Sequence, residues 1–314
     1  MEVIRLNYPE DYKRNHLKPS SLAVGFFDGV HRGHQQVIQA AIDYAKENNL
    51  ESAVMTFDPH PLAVLKNEPL SNFLLTSLEE KKAIFEKMGI RYLFVVSFTK
   101  ELAKLTPQEF VDKFFIDLSI HHVAAGFDYS FGHKGAGKIH DMDQYARGKL
   151  SYTVIDKVTF ENEKVSSTRI RELLDQGQPN QANELLGRSY TLTGHVVKGY
   201  QRGREIGYPT ANLEIDESRA IPKVGIYAVT AIVQGQNYDG MASIGYNPTF
   251  EEKHEQPIIE VHLFNFESDI YGESMQVSFC SYIRDELAFD GVDELTQELK
   301  EDERKAKEAL KNNQ

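Results

Sequence analysis

Up to about residue 185 the chain alternates two apolar patterns. Continuous apolar runs at 21–24, 52–57, 92–96, 122–125 and 152–155 have the length and composition of buried strands. Between them lie stretches of helical period. Residues 35–48 put Val37, Ile38, Ala41, Ile42 and Ala45 on one face, and 77–88 opens with Ser77 as N-cap and Glu80 at the capping-box position. Thr106-Pro107-Gln108-Glu109 joins a cap to a first-turn proline and an acidic residue, and Ser166-Ser167-Thr168 caps a helix running through Leu174. Such alternation predicts a parallel sheet covered on both faces, with ligands beyond the carboxyl ends of its strands. Near Leu186-Gly187 the pattern changes to period-two runs at 190–197, 225–233, 238–244, 258–264 and 275–282, separated by Gly235-Gln236, Asn247-Pro248 and Gly272-Glu273. Short strands with little helix between them predict an antiparallel barrel. The last element is a charged amphipathic helix over 293–311 that packs Leu295, Leu299 and Leu310 on the barrel. The expected architecture is an α/β domain at 1–186 and an antiparallel β-barrel domain with a C-terminal helix at 187–314. No long linker, internal repeat or low-complexity segment interrupts it.

Bulk properties narrow the classes. The 314 residues, 41% hydrophobic and 11% aromatic, suit two domains with their own cores. Cys280 is the only cysteine, which rules out an intrachain disulfide and fits a reducing compartment. The first residues hold no apolar signal region, and no run is long enough to span a bilayer, so a cytoplasmic protein with no membrane partner is expected. A net charge of −12 argues against nucleic acid as a partner. It leaves room for a small anion held by a few local donors. A homo-oligomer remains open.

The sharpest chemical signal in the first domain is Gly25-Phe26-Phe27-Asp28-Gly29-Val30-His31-Arg32-Gly33-His34. A Gly-rich turn from strand to helix aims backbone N–H groups and a helix dipole at a phosphate, and His31 and His34 add donors that follow charge through a reaction. Gly25, Phe26, Asp28 and Gly29 are the candidate cradle. Ser167, Thr168 and Arg171 offer hydroxyls, a helix N-terminus and a guanidinium, a second clamp suited to pyrophosphate. The competing reading is a plain capped helix with surface arginines. His60, between Pro59 and Pro61, reads either as a rigid cover over a nucleotide or as a stiff turn. Asp128, in the loop 126–132, reads either as a ligand to a nucleotide or metal-bound water or as an Asx-turn.

In the second domain Gly199, Gly203 and Gly207 recur every fourth residue ahead of Pro209-Thr210-Ala211-Asn212. That spacing admits close backbone approach to a ligand, although a flexible hairpin has the same composition. Thr210 and Asn212 can offer oxygens to one Mg²⁺. Glu260 and His262 alternate with Ile259, Val261 and Leu263. Glu260 is a candidate general base if its face meets a binding site, and a solvated carboxylate if it faces water.

Together these motifs resemble the prokaryotic bifunctional riboflavin kinase/FMN adenylyltransferase family, also called FAD synthetases. The residues 25–34, Phe57-Asp58-Pro59-His60-Pro61, 126–132 and 166–171 resemble its adenylyltransferase module. Those at 203–212, Gly225-Ile226-Tyr227, 244–250 and 260–266 resemble its kinase module. The resemblance covers nearly the whole chain in the right order. It implies a Rossmann-like nucleotidyltransferase that joins FMN to the AMP part of ATP. It also implies a six-stranded barrel that phosphorylates riboflavin at the ribityl 5′-hydroxyl, both modules using ATP and Mg²⁺. His31 and His34 then fall where the adenylyl phosphate is stabilised, and Ser167, Thr168 and Arg171 on the phosphate-binding helix start. Gly203, Gly207, Pro209, Thr210 and Asn212 fall on the kinase Mg²⁺ and phosphate site, and Glu260 on the catalytic base. Tyr129 stands where Phe is more usual and Asn265 where Asp is common. The rivals are a protein with one working half, a flavin- or nucleotide-sensing binding protein, and another His-x-Gly-His nucleotidyltransferase.

Overall fold

The computed structural model describes residues 1–12, 17–199, 203, 206–246 and 257–312. The chain divides into two compact units, Met1–Leu70 with Thr76–Ser167, and Ser71–Leu75 with Thr168–Gln314.

The first unit is built on β1 (Glu2–Leu6), β2 (Ser20–Val24), β3 (Glu51–Asp58), β4 (Tyr92–Ser97), β5 (Ile120–Gly126) and β6 (Ser151–Ile155), in spatial order β1-β4-β3-β2-β5-β6. All five pairings are parallel. Helix α1 (Arg32–Glu47) buries the five residues its period marks. Then follow α2 (Pro61–Lys66), α3 (Leu78–Lys87), α4 (Pro107–Val111) and α5 (Met142–Ala146). The predicted capping box of Ser77 with Glu80 is made, and the predicted cap Thr106 forms one too, with Glu109. The edge strand β1 escapes the sequence reading because only Ile4 and Leu6 of its five residues are buried. Connections leave β2 toward β3 and leave β5 toward β6, in opposite directions, so the crevice beyond the carboxyl ends of β2 and β5 is the switch point of the sheet. The 25–34 turn follows β2, and the loop at 126–132 follows β5.

At the other end of this sheet lies a buried polar cluster. His122 on β5 is 1% exposed and stacks on Tyr44 with ring centroids 3.5 Å apart. Its Nδ1 meets Ser151 Oγ at 2.8 Å, while its Nε2 is buried with no hydrogen-bond partner. Burial holds its pKa down at about 4.

The second unit holds α6 (Ser167–Asp175, from its second residue), α7 (Pro179–Leu186) and a closed antiparallel barrel. Its strands are β7 (Tyr190–Val197), β8 (Ala211–Ile215), β9 (Gly225–Val233), β10 (Gln236–Gly245), β11 (Ile258–Leu263) and β12 (Ser274–Arg284), in order β7-β8-β11-β10-β9-β12. Five of the six match the predicted runs. The sixth, β8, reads as part of a Gly-rich loop in sequence because it is short and its alternation is weak. Helix α8 (Val292–Lys311) packs Leu310 and Leu299 against Tyr208, Met241 and Phe264, as its pattern requires.

One segment of this unit comes from far upstream. Ser71–Leu75 lies between α2 and α3 in sequence, yet it is bonded along residues 217–221. Asn72 N donates to Glu217 O (2.9 Å), Phe73 N to Ser218 O (2.8 Å) and Ala220 N to Leu74 O (2.9 Å). Arg219, 2% exposed, donates to the carbonyls of Leu74, Leu75 and Thr191.

Candidate active sites

Beyond β2 the backbone takes an unusual path. Phe27 (φ 56°), Gly29 (φ 81°) and Val30 (φ 39°) all lie in the left-handed region. For a β-branched residue that conformation is strained and needs surrounding structure to hold it. Thr76 supplies part of the hold: its Oγ1 accepts from Gly29 N at 2.8 Å, and its N–H donates to Asp28 Oδ1 at 3.2 Å. Ser167 Oγ donates to Asp28 O at 2.8 Å, and Val30 itself is fully buried. Phe26 O accepts from both Thr56 Oγ1 and Lys81 Nζ, each at 2.8 Å.

The sequence reading makes this turn a cradle of free amides, but several are committed within the fold. Gly25 N donates to Met55 O, Val30 N to Phe27 O and His34 N to His31 Nδ1. The imidazoles are therefore the distinctive donors. Because His31 Nδ1 accepts the His34 amide at 3.2 Å, that nitrogen carries no proton and His31 presents Nε2–H. The His31 and His34 rings stack with centroids 3.6 Å apart and planes 17° apart, and His34 meets Phe27 edge-on. Two imidazolium rings at that spacing repel. Burial first, then His31, Lys81 and Lys164, hold the His34 pKa well below the ordinary histidine value, so it is neutral at pH 7. Gly33 fits beside His31, where a Cβ would stand 3.3 Å from the ring.

The other predicted residues separate. His60 caps α2, its Nδ1 accepting from Leu62 N at 3.0 Å, and its ring lies 4.0 Å from that of Phe26. It is thus both a stiff turn and a neighbour of the cradle. Asp128 is engaged in an exposed ion pair with Lys164 Nζ at 2.7 Å, a role neither reading of it anticipated. Ser167 stands with the turn, whereas Thr168 and Arg171 fall in the second unit. There Arg171 Nε donates to Phe73 O at 2.7 Å and its guanidinium lies 3.9 Å from the Phe73 ring centre. Lys81 and Thr76 were not singled out from sequence. Lys81 carried a signal, since it sits between Leu78 and Phe85 on the apolar face of α3, a costly place for a lone cation. It packs over the Phe26 ring at 3.6 Å.

Phe26 also opens a cavity of about 650 Å³ in this unit. Its walls include the aromatic rings of Phe57, Phe98, Phe110, Tyr129 and Phe131. Burial raises the Tyr129 phenol far above its ordinary value, so it stays protonated.

In the second unit a row of polar residues crosses three strands on the outer face of the barrel. Asn212 on β8 pairs with Glu260 on β11, which pairs with Ser243 on β10. Ile259, Val261 and Leu263 point into the barrel, as the alternation predicts. Glu260 and His262 point outward, yet not into open water. They line a cavity of about 520 Å³ closed by Leu287, Phe289 and the α8 residues Val292, Leu295 and Leu299. Thr210 and Gly203 also border it. Gly203 is required where it stands, since a Cβ there would strike Tyr208 O. A Cβ on Gly199 would strike the Asn212 amide, so that side chain lies flat on glycine backbone. Pro209 O accepts from His262 Nδ1 at 2.8 Å. Tyr208 donates to Glu303 on α8 at 3.0 Å, and burial with that bond pushes its pKa up to about 12. Gly207 takes φ 82° ahead of it. Residues 200–202, 204–205 and 247–250 of the predicted motifs lie outside the described residues.

One wall of this cavity is locked by an ion pair that the sequence does not advertise. Arg284 at the end of β12 grips Asp302 of α8 with both arms, Nε to Oδ1 at 2.9 Å and Nη2 to Oδ2 at 2.6 Å. Asp302 is wholly buried.

Comparison with known proteins agrees with this division. The FAD synthetase family model matches residues 13–169, and the riboflavin kinase family model matches 186–310. The chain is 46% identical over 283 residues to a bifunctional riboflavin kinase/FMN adenylyltransferase of Listeria monocytogenes, covering 90% of each. It is 41% identical over 307 residues to that of Bacillus subtilis, covering 98% of this chain and 97% of the relative. A crystal structure of a Streptococcus pneumoniae protein, described as a macrolide-efflux protein, matches with a TM-score of 0.88 at 34% identity, covering 98% of this chain and 99% of that one. Among the described residues here, no helix is long and apolar enough to cross a membrane.

Proposed function

The chain belongs to the bifunctional riboflavin kinase/FMN adenylyltransferase family, and we propose that it carries out both reactions. The module at 187–314 converts riboflavin and ATP to FMN and ADP. The module at 1–186 converts FMN and a second ATP to FAD and pyrophosphate. Both are cytosolic reactions. The observation that carries this reading is that each compact unit holds its own cavity beside its own reactive group.

In the kinase module Glu260 accepts the proton of the ribityl 5′-hydroxyl as that oxygen bonds the γ-phosphorus and the bond to the β–γ bridging oxygen breaks. The apolar wall from Leu287 to Leu299 receives the flavin ring. Thr210 and Asn212 fit Mg²⁺: both present neutral hard oxygens, and the Gly199 backbone fixes the Asn212 amide. Held by these two residues, Mg²⁺ would neutralise charge on the transferring phosphate.

In the adenylyltransferase module an FMN phosphate oxygen attacks the α-phosphorus of ATP and pyrophosphate departs. Charge builds on the non-bridging oxygens of the transferred group. His31 Nε2–H is a fixed donor to them, with His34 stacked behind it as a neutral support. Gly25, Phe26, Asp28 and Gly29 shape the turn, His60 and Phe26 border the nucleotide, and Ser167 serves the phosphates. Asp128 acts on the nucleotide once its pairing with Lys164 is exchanged. The aromatic cavity beside Phe26 takes the isoalloxazine ring.

The direct test incubates the purified chain with riboflavin, ATP and Mg²⁺ and resolves the flavins by chromatography. FMN followed by FAD is expected. Absence of both removes the proposal.

A further inference from the structure

The two cavities differ in charge, and the difference matches the difference between their flavins. The rim of the cavity beside Phe26 carries Lys100, Lys104 and Lys134, with His133, and among the described residues no aspartate or glutamate lines it. In a chain of net charge −12 that is a local reversal of sign. Lys100 Nζ reaches Asn67 Oδ1 at 2.9 Å, a neutral partner that leaves its charge uncompensated, and His133 Nδ1 bonds Ala103 O. Among the described residues the barrel cavity has the opposite balance, Glu260, Glu286 and Asp302 against Arg284. The Glu286 carboxylate lies directly over Gly245, where a Cβ would strike it.

Resting on the function proposed above, we propose that Lys104 and Lys134, with Lys100, determine specificity by charge. The cationic rim draws the phosphorylated flavin into the adenylyltransferase cavity, and the carboxylate-rich kinase cavity favours the neutral one. Riboflavin is uncharged, whereas a phosphate monoester carries about −1.5 to −2 at pH 7. A walled cavity of one sign concentrates ligands of the other and speeds their capture, an effect that salt removes. The same asymmetry drives FMN out of the site that makes it and toward the site that consumes it. Ring stacking against Phe57, Phe98 and Tyr129 is common to both flavins and cannot separate them.

The test is the double variant Lys104→Glu/Lys134→Glu in the full chain, assayed for FAD formation at saturating ATP. Both lysines are exposed, so the fold is retained, and riboflavin phosphorylation by the other module reports on that directly. At about 10 mM ionic strength kcat/KM for FMN should fall about ten-fold or more, and the deficit should shrink to within about two-fold at 0.5 M salt. The maximal rate at saturating FMN should hold. Lumiflavin, a neutral flavin with no hydroxyl to phosphorylate, should inhibit both proteins with the same inhibition constant. Unchanged kcat/KM for FMN at low salt would overturn the proposal, and so would equal weakening of FMN and lumiflavin, which would assign the lysines to shape. If the parent protein makes no FAD, the failure lies instead in the function on which this inference rests.

Discussion

Acid should weaken the first unit through one residue remote from its chemistry. His122 has an ordinary value of 6.5 in the unfolded chain and titrates at about 4 in the fold. Between those values the unfolded chain binds a proton that the fold excludes, so stability falls as pH drops below 6.5. The proton has nowhere to go, because the ring is 1% exposed, stacked on Tyr44, and leaves Nε2 without an acceptor. Linkage over this shift amounts to about 2 kcal/mol between pH 7 and pH 5, and about 3 kcal/mol once pH falls past 4. Other groups titrate over the same range, so the measurement is a difference between proteins. His122→Gln can still bond Ser151 and does not titrate. Urea unfolding at pH 7 and pH 5, followed by near-UV circular dichroism and by residual FAD formation, should show the parent losing about 2 kcal/mol more than the variant on acidification. Equal losses in the two proteins would refute the reasoning, since the buried imidazole would then play no part in acid sensitivity.

Four further outcomes are expected. His31→Ala should lower FAD formation from FMN by about 10²- to 10³-fold while riboflavin phosphorylation persists, because a fixed donor to developing charge is lost; equal loss of both activities in a folded protein would remove the idea of separate sites. Glu260→Gln should abolish FMN formation and spare FAD formation from supplied FMN, checked by chromatography of both products. Asn212→Ala should raise the Mg²⁺ concentration needed for half-maximal kinase activity without moving the Mg²⁺ dependence of the other reaction. Asp302→Ala removes the buried partner of the Arg284 guanidinium, which keeps Glu298 at 3.3 Å and Asp285 O. The cost should be about 2 kcal/mol, that of lost charge-assisted hydrogen bonds, read in thermal unfolding, with a raised KM for riboflavin as α8 loosens.

What the sequence disclosed was local in origin. The five buried residues of α1, the Ser77 capping box, the Thr106 cap and the alternation that turns Glu260 away from Ile259 and Val261 follow from period and short-range chemistry. The sheet order was not read from sequence, since the edge strand β1 was missed and parallel pairing alone does not set the order of the rest. The supports of the sites were not legible, because their partners are remote. Thr76 meets Gly29 across 47 positions and Lys81 meets Phe26 O across 55, and neither spacing belongs to any motif. The outward face of β11 required the structure for a different reason. Alternation shows which residues share a face, and only the packing of α8 turns the outer face of a barrel into a cavity wall.

The segment Ser71–Leu75 has a consequence for how the protein is made. Leu74 O waits for the Arg219 side chain 145 residues further along, and Leu75 O for the same guanidinium. A ribosome adding 5–20 residues per second needs roughly 7–30 s to deliver it. Strands β4, β5 and β6 are made within that interval, and Ser71–Leu75, which belong to the second unit, emerge well before the residues they bond along. The second unit therefore has its first five residues made before the last three strands of the first unit's sheet, and it is completed only when residues 217–221 have followed.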